Sequence, residues 1–95
     1  MRSHLDIPGP RDTAVRQYSD WQQSKVHDGT LKAPFRKACD VTLDEGLDLE
    51  QVHEDCNPGF FIKNGVKSGI ARRFISDIAN WVERYKSANY AYSSN

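Results

Sequence analysis

The sequence contains few of the residues that cross-link a fold or carry a chain across a membrane. Two cysteines, Cys39 and Cys56, occur among 95 residues, which is too few for a disulfide framework. No apolar run approaches the roughly 18 residues that a bilayer-spanning helix needs. The first residues also lack the apolar stretch of a secretory signal peptide. We therefore expect an intracellular protein with no membrane partner.

Residues that would indicate catalysis or metal binding are equally sparse. The histidines are His4, His27 and His53, and no serine or cysteine nucleophile has a base placed by a recognisable motif. His53 and Cys56 have a spacing that zinc could use, but no second close pair of ligands accompanies them. We expect no enzyme activity, no cofactor and no bound metal ion.

Net charge is also absent, because 13 Lys and Arg balance 13 Asp and Glu. The total therefore does not indicate a strongly nucleic-acid-seeking chain. The charges are nevertheless segregated along the sequence. Residues 40–55 hold seven acids and no Lys or Arg, and residues 63–73 hold four cations and no acid.

Each charged segment supplies candidate partner-binding residues. The acidic candidates are Asp44, Glu45, Asp48, Glu50, Glu54 and Asp55. The basic candidates are Lys63, Lys67, Arg72 and Arg73. One interpretation is that exposed helix faces are charged and cluster by chance. The other is electrostatic complementarity with a partner or with another copy of the chain, and two different patches that meet head to tail form a heterologous contact.

The apolar residues that are present predict the fold class. Their fraction of 38%, with 11% aromatic residues, is enough for one compact core in a chain of this length. They recur at helical spacing, and no strand-like alternation is found. We predict an all-α, compact bundle of four to five helices with a long C-terminal helix over residues 12–86. Residues 1–11 are expected to be a flexible linker or cloning remnant, and residues 87–95 a flexible tail.

The helix boundaries follow from capping and stop signals. The first helix is expected from Asp12 or Thr13, either of which can cap it, to Val26. The second is expected to begin near Ala33-Pro34 and to stop at Gly46.

Three further helices are expected in the second half. Asp48 and Gln51 form a capping-box pattern at the start of a short third helix. A single turn follows, capped by Asn57 and stopped by Gly65. The last helix is expected to run from about Ser68 to Lys86, with one apolar side.

The order of these elements resembles the sterile alpha motif (SAM) domain over about residues 14–86. The resemblance is carried by Trp21 late in the first helix, by the short mid-chain helix "LEQVHED", and above all by "GVKSGIARRFISDI". In the last stretch, Gly65-Val66, Gly69, Arg72 and Ile78 match the order that is common in the family.

The resemblance implies a function as well as a fold. SAM domains commonly associate with one another through an acidic mid-domain surface and the basic N-terminal end of the last helix. It therefore implies a protein partner, either another copy or another helical domain. A minority of SAM domains bind RNA hairpins with basic residues near the same helix start, so binding of RNA or DNA by the basic candidates is the alternative.

Overall fold

The computed structural model describes the backbone of residues 5–7 and 9–93, and the side chains of these residues as far as Lys86. In this part of the chain it contains six helices and no strand, which confirms the all-α class. The helices are α1 (Arg11–Ser24), α2 (Gly29–Asp44), α3 (Leu49–Asp55), α4 (Pro58–Lys63), α5 (Ser68–Ser76) and α6 (Ile78–Ser93).

One hydrophobic core joins these helices. α1 packs along α2, α4 packs against α5, and α2 also contacts α5, while α3 touches α1, α5 and α6. The aromatic centre of the core is Tyr18, whose ring centroid lies 5.1 Å from that of Phe74 and 5.5 Å from that of Trp81. The residues with the largest fully buried side chains are Tyr18, Phe61, Phe74, Leu49, Ile78, Gln22, Val15 and Thr42.

α2 begins earlier than the sequence patterns predicted. The side chain of Asp28 caps it by accepting a hydrogen bond from the amide of Thr30 (2.9 Å), and this backbone hydrogen bond lowers the pKa of the Asp28 carboxyl. Pro34 consequently lies inside the helix rather than at its start. The predicted start is wrong because proline, although typical of a first turn, does not require that position. The upstream aspartate cap outweighs the one backbone hydrogen bond that Pro34 cannot donate.

The start of α1 also differs from the prediction. Its N-cap position is Pro10, which makes no side-chain cap, and Asp12 lies in the first turn. Neither Asp12 nor Thr13 is therefore the cap. Leu5 and Ile7, upstream of this helix, are half-buried and pack against the core.

The capping box of α3 is confirmed. The Gln51 amide donates to Asp48 Oδ1 (2.9 Å), and the Asp48 amide donates to Gln51 Oε1 (3.0 Å). The stop signals at Gly46 and Gly65 are confirmed too, since their φ angles are 71° and 93°, which favour glycine. Asn57, in contrast, precedes α4 without making a side-chain cap.

The predicted last helix is divided at Asp77 and continues past Lys86 to Ser93. The hydroxyl of Tyr18 donates a hydrogen bond to the carbonyl oxygen of Phe74. Gln22 Nε2 in turn donates to the Tyr18 hydroxyl (2.9 Å) and to Asp77 Oδ2 (3.2 Å). Side chains from α1 thus enter the hydrogen-bond ladder where α5 ends, which is a recognised cause of helix interruption. The division into residues 12–86 and two flexible ends stays a prediction.

Candidate interaction surface

The six acidic candidates lie at the ends of two helices. Asp44 is the last residue of α2, and Glu45 is its C-cap. Asp48 is the N-cap of α3, Glu50 lies in its first turn, and Glu54 and Asp55 are its last two residues. All are exposed except Asp48 and Glu50, which are half-buried.

Two of these acids border an apolar cleft of about 210 Å³, which we call the acid-rimmed cleft. Its carboxylates are those of Glu45 and Asp55. Its remaining lining residues are Leu47, Val52, Asn57, Phe60 and Phe61. Leu47 and Phe60 are only partly buried, so the cleft leaves apolar surface uncovered between two negative charges.

The backbone adds to the negative charge at this cleft. Glu45 is the C-cap of α2 and Asp55 is the last residue of α3, and the C-terminal end of a helix carries partial negative charge. Acids are therefore placed where the helix dipole disfavours them. Within the described part of the chain, no Lys or Arg forms an ion pair with either carboxylate. The arrangement raises the affinity of this surface for a cation.

Asp48 and Glu50 belong to a different depression. They line it together with Leu5, Ile7 and Arg11. Asp48 Oδ2 lies 3.6 Å from Arg11 Nε, and Asp48 also caps α3. The acidic candidates thus lie in two separate groups. Asp48 stabilises its own chain, because it caps α3 and pairs with Arg11.

The basic candidates surround the start of α5. Lys63 ends α4 and Lys67 is the N-cap of α5, so the two flank one tight turn. Arg72 and Arg73 follow on α5, and all four side chains are exposed. Arg73 Nη1 lies 3.6 Å from Asp77 Oδ1, so Asp77 partly offsets the charge of Arg73. The exposed N-terminal end of α5 contributes further partial positive charge.

Two cations outside the predicted set lie beside this basic end. Lys37 of α2 packs over Gly65, where a Cβ atom would lie 3.3 Å from Lys37 Cε. Lys25 Nζ lies 5.1 Å from the ring centroid of Trp21, and both residues line an open groove with Ile70 and Arg73. The Trp21–Lys25 spacing of four residues was a readable signal, but the approach of Lys37 to Gly65 depends on how α2 packs on α5.

The cysteines and histidines that the structure describes do not form a second candidate site. Cys39 is buried, and its burial raises the pKa of its thiol. Cys56 is exposed and His53 is half-buried. No three His, Cys, Asp or Glu side chains among the described residues are grouped so that they could hold a metal ion. None of the described helices combines the length and the apolar character that crossing a membrane requires.

Comparison of the chain with protein families, with curated proteins and with solved structures found no match.

Proposed function

We propose that this chain is a non-enzymatic protein–protein interaction module that associates head to tail. The acidic mid-domain face of one copy binds the basic N-terminal end of α5 in the next copy, or in another helical domain of similar charge. One observation carries the proposal: Glu45 and Asp55 flank the same apolar cleft without an ion-pair partner in the described residues. Such a surface favours a ligand that is both cationic and apolar.

The helix dipoles support the same orientation of the two copies. The acidic face lies where α2 and α3 end, and the basic end lies where α5 begins. Charges of opposite sign and dipole ends of opposite sign therefore meet in one contact. The resemblance to SAM domains, which commonly pair such surfaces, points to the same arrangement.

Sedimentation velocity over a concentration series at low salt tests the proposal. We expect the average mass to rise with concentration. Glu45→Lys and Arg72→Glu should each abolish the rise, because each places like charges across the contact. An equimolar mixture of the two variants should form a dimer, since each variant keeps one intact face. Arg72 is chosen because Arg73 is paired with Asp77.

Matched controls reverse charges elsewhere on the surface. Glu83→Lys and Lys86→Glu alter exposed residues of α6 and should leave association unchanged. Added salt should weaken association of the unmodified chain, because it screens exposed charges. A chain that stays monomeric at high concentration and low salt would contradict self-association.

A second candidate function is nucleic-acid binding by the basic end. Two contacts favour it. Lys37 approaches Gly65, just before α5. Lys25 lies over the half-buried ring of Trp21, and both line a groove with Arg73. Cations beside an aromatic ring are typical of single-strand binding surfaces.

A gel-shift titration with hairpin RNA and with duplex DNA separates the two candidates. If the basic end binds nucleic acid, Arg72→Glu should weaken the shift and Lys86→Glu should not. The affinity should also fall steeply with salt, because phosphate contacts release counterions. No shift at low salt would exclude this function.

A further inference from the structure

The acid-rimmed cleft has an apolar counterpart elsewhere on the same molecule. Two large apolar residues of the described chain are exposed. They are Ile62, at 44%, and Leu31, at 39%. Lys63, one of the basic candidates, directly follows Ile62. The Lys63 side chain is turned by about 100° from that of Ile62 around α4, so this end of the helix presents both an apolar side chain and a cation. Together they complement an apolar cleft flanked by carboxylates.

The cleft and Ile62 cannot meet within one molecule. Phe60 lines the cleft from α4. Ile62 lies two residues farther along this helix, which turns its side chain by about 200° from that of Phe60. One side of α4 thus faces the cleft and the opposite side carries Ile62. Two such surfaces on opposite sides suit a heterologous contact that repeats from copy to copy.

The dimensions are compatible with this contact. The cleft measures about 210 Å³, and an apolar cavity of about 150 Å³ already accommodates a benzene ring. An isoleucine side chain has fewer carbon atoms than benzene and therefore needs less space. The cleft is therefore large enough in volume for the side chain of Ile62.

We infer that Ile62 of one copy docks into the acid-rimmed cleft of the next copy and brings Lys63 beside Glu45 and Asp55. This inference rests on the proposed self-association and adds an apolar anchor to it. Ile62 supplies burial of apolar surface, and Lys63 supplies the charge that selects the acidic side of the partner. The contact leaves the cleft of the first copy and the Ile62 of the last copy free.

The test compares Ile62→Ser with Leu31→Ser in sedimentation velocity, with the full chain and with circular dichroism and thermal unfolding as folding checks. Both side chains are exposed, so neither change should lower the unfolding temperature. We expect Ile62→Ser to raise the dissociation constant of self-association about tenfold or more, because the transfer of one large aliphatic side chain from water is lost. Leu31→Ser should leave the constant unchanged.

A mixing experiment assigns the two halves of the contact. Ile62→Ser keeps an intact cleft, and Glu45→Lys keeps an intact Ile62, so their mixture should form a heterodimer with the affinity of the unmodified chain. If Ile62→Ser associates as the unmodified chain does while Glu45→Lys does not associate, the apolar anchor is refuted and the charge-driven association remains. If the unmodified chain itself stays monomeric, self-association and the Ile62 anchor that rests on it are both refuted.

Discussion

The hydroxyl of Tyr18 donates a hydrogen bond to the carbonyl oxygen of Phe74, and this bond ties α1 to the end of α5. The same hydroxyl accepts a hydrogen bond from Gln22 Nε2. Tyr18 and Gln22 are both fully buried, so their polar atoms depend on partners within the protein. The break between α5 and α6 therefore lies against the core, where side chains of α1 form hydrogen bonds with the end of α5.

Tyr18→Phe should destabilise the protein by about 1–3 kcal/mol. The change removes two buried hydrogen bonds, one to the Phe74 carbonyl and one from the Gln22 amide, and leaves both groups without that partner. Urea unfolding measures the effect. Tyr85→Phe is the control, because Tyr85 is only half-buried and stacks on Trp81 through its ring, and it should change stability by less than about 0.5 kcal/mol. Equal effects of the two substitutions would contradict the role of the Tyr18 hydroxyl.

The same tyrosine should make stability fall at alkaline pH. Burial raises the pKa of Tyr18 far above its usual value of 10.0, so the folded state retains the phenolic proton while the unfolded state releases it. The stabilisation is complete below pH 10 and is lost as the pH rises further, by up to about 1.4 kcal/mol per pH unit. Urea unfolding from pH 8 to pH 11 should show a steeper loss for the unmodified protein than for Tyr18→Phe. Parallel curves would refute the assignment to Tyr18.

Asp48→Ala should cost about 1 kcal/mol of folding free energy, because the carboxylate caps α3. Thermal unfolding measures the loss. Glu54→Ala is the matched control, since Glu54 is exposed at the other end of the same helix, where the dipole disfavours an acid. It should leave stability unchanged or raise it slightly. If Glu54→Ala lowered the folding stability as much as Asp48→Ala does, the capping role assigned to Asp48 would be contradicted.

Gly65→Ala and Gly69→Ala should have opposite effects. Gly65 has a φ of 93°, and its added Cβ would press on Lys37 Cε at 3.3 Å. We expect a loss of about 1–2 kcal/mol from the left-handed conformation alone. Gly69 lies in the first turn of α5 with open space around its Cβ position, so alanine should stabilise by up to about 1 kcal/mol. Chemical unfolding measures both, and a stabilised Gly65→Ala would contradict the strain argument.

Much of the fold could be predicted because its signals are local. The capping box of Asp48 and Gln51 and the left-handed stops at Gly46 and Gly65 depend on a few neighbouring residues. The start of α2 could not be predicted from Pro34, because two local signals competed. The Asp28 cap outweighed the signal of a proline that the helix tolerates.

The sequence predicted which charged residues belong to the candidate site, but it did not predict how they are arranged in space. Segregation of acids from cations is visible in the sequence, and the exposure of Lys63 and Arg72 agrees with a role at the surface. The sequence alone did not indicate that Asp48 is engaged by Arg11 while Glu45 and Asp55 share a cleft. Those relationships join residues from different helices, so they depend on packing.

The sequence by itself determined the helical class, the short capped α3 and the two charged segments, because helical periodicity, caps and charge are properties of residues close together in the chain. Only the tertiary structure decided where the last helix is interrupted, since Tyr18 and Gln22 reach Asp77 and its neighbours across the core. It also decided that apolar surface lies between Glu45 and Asp55. Burial and side-chain hydrogen bonds between distant segments arise only when the helices pack together.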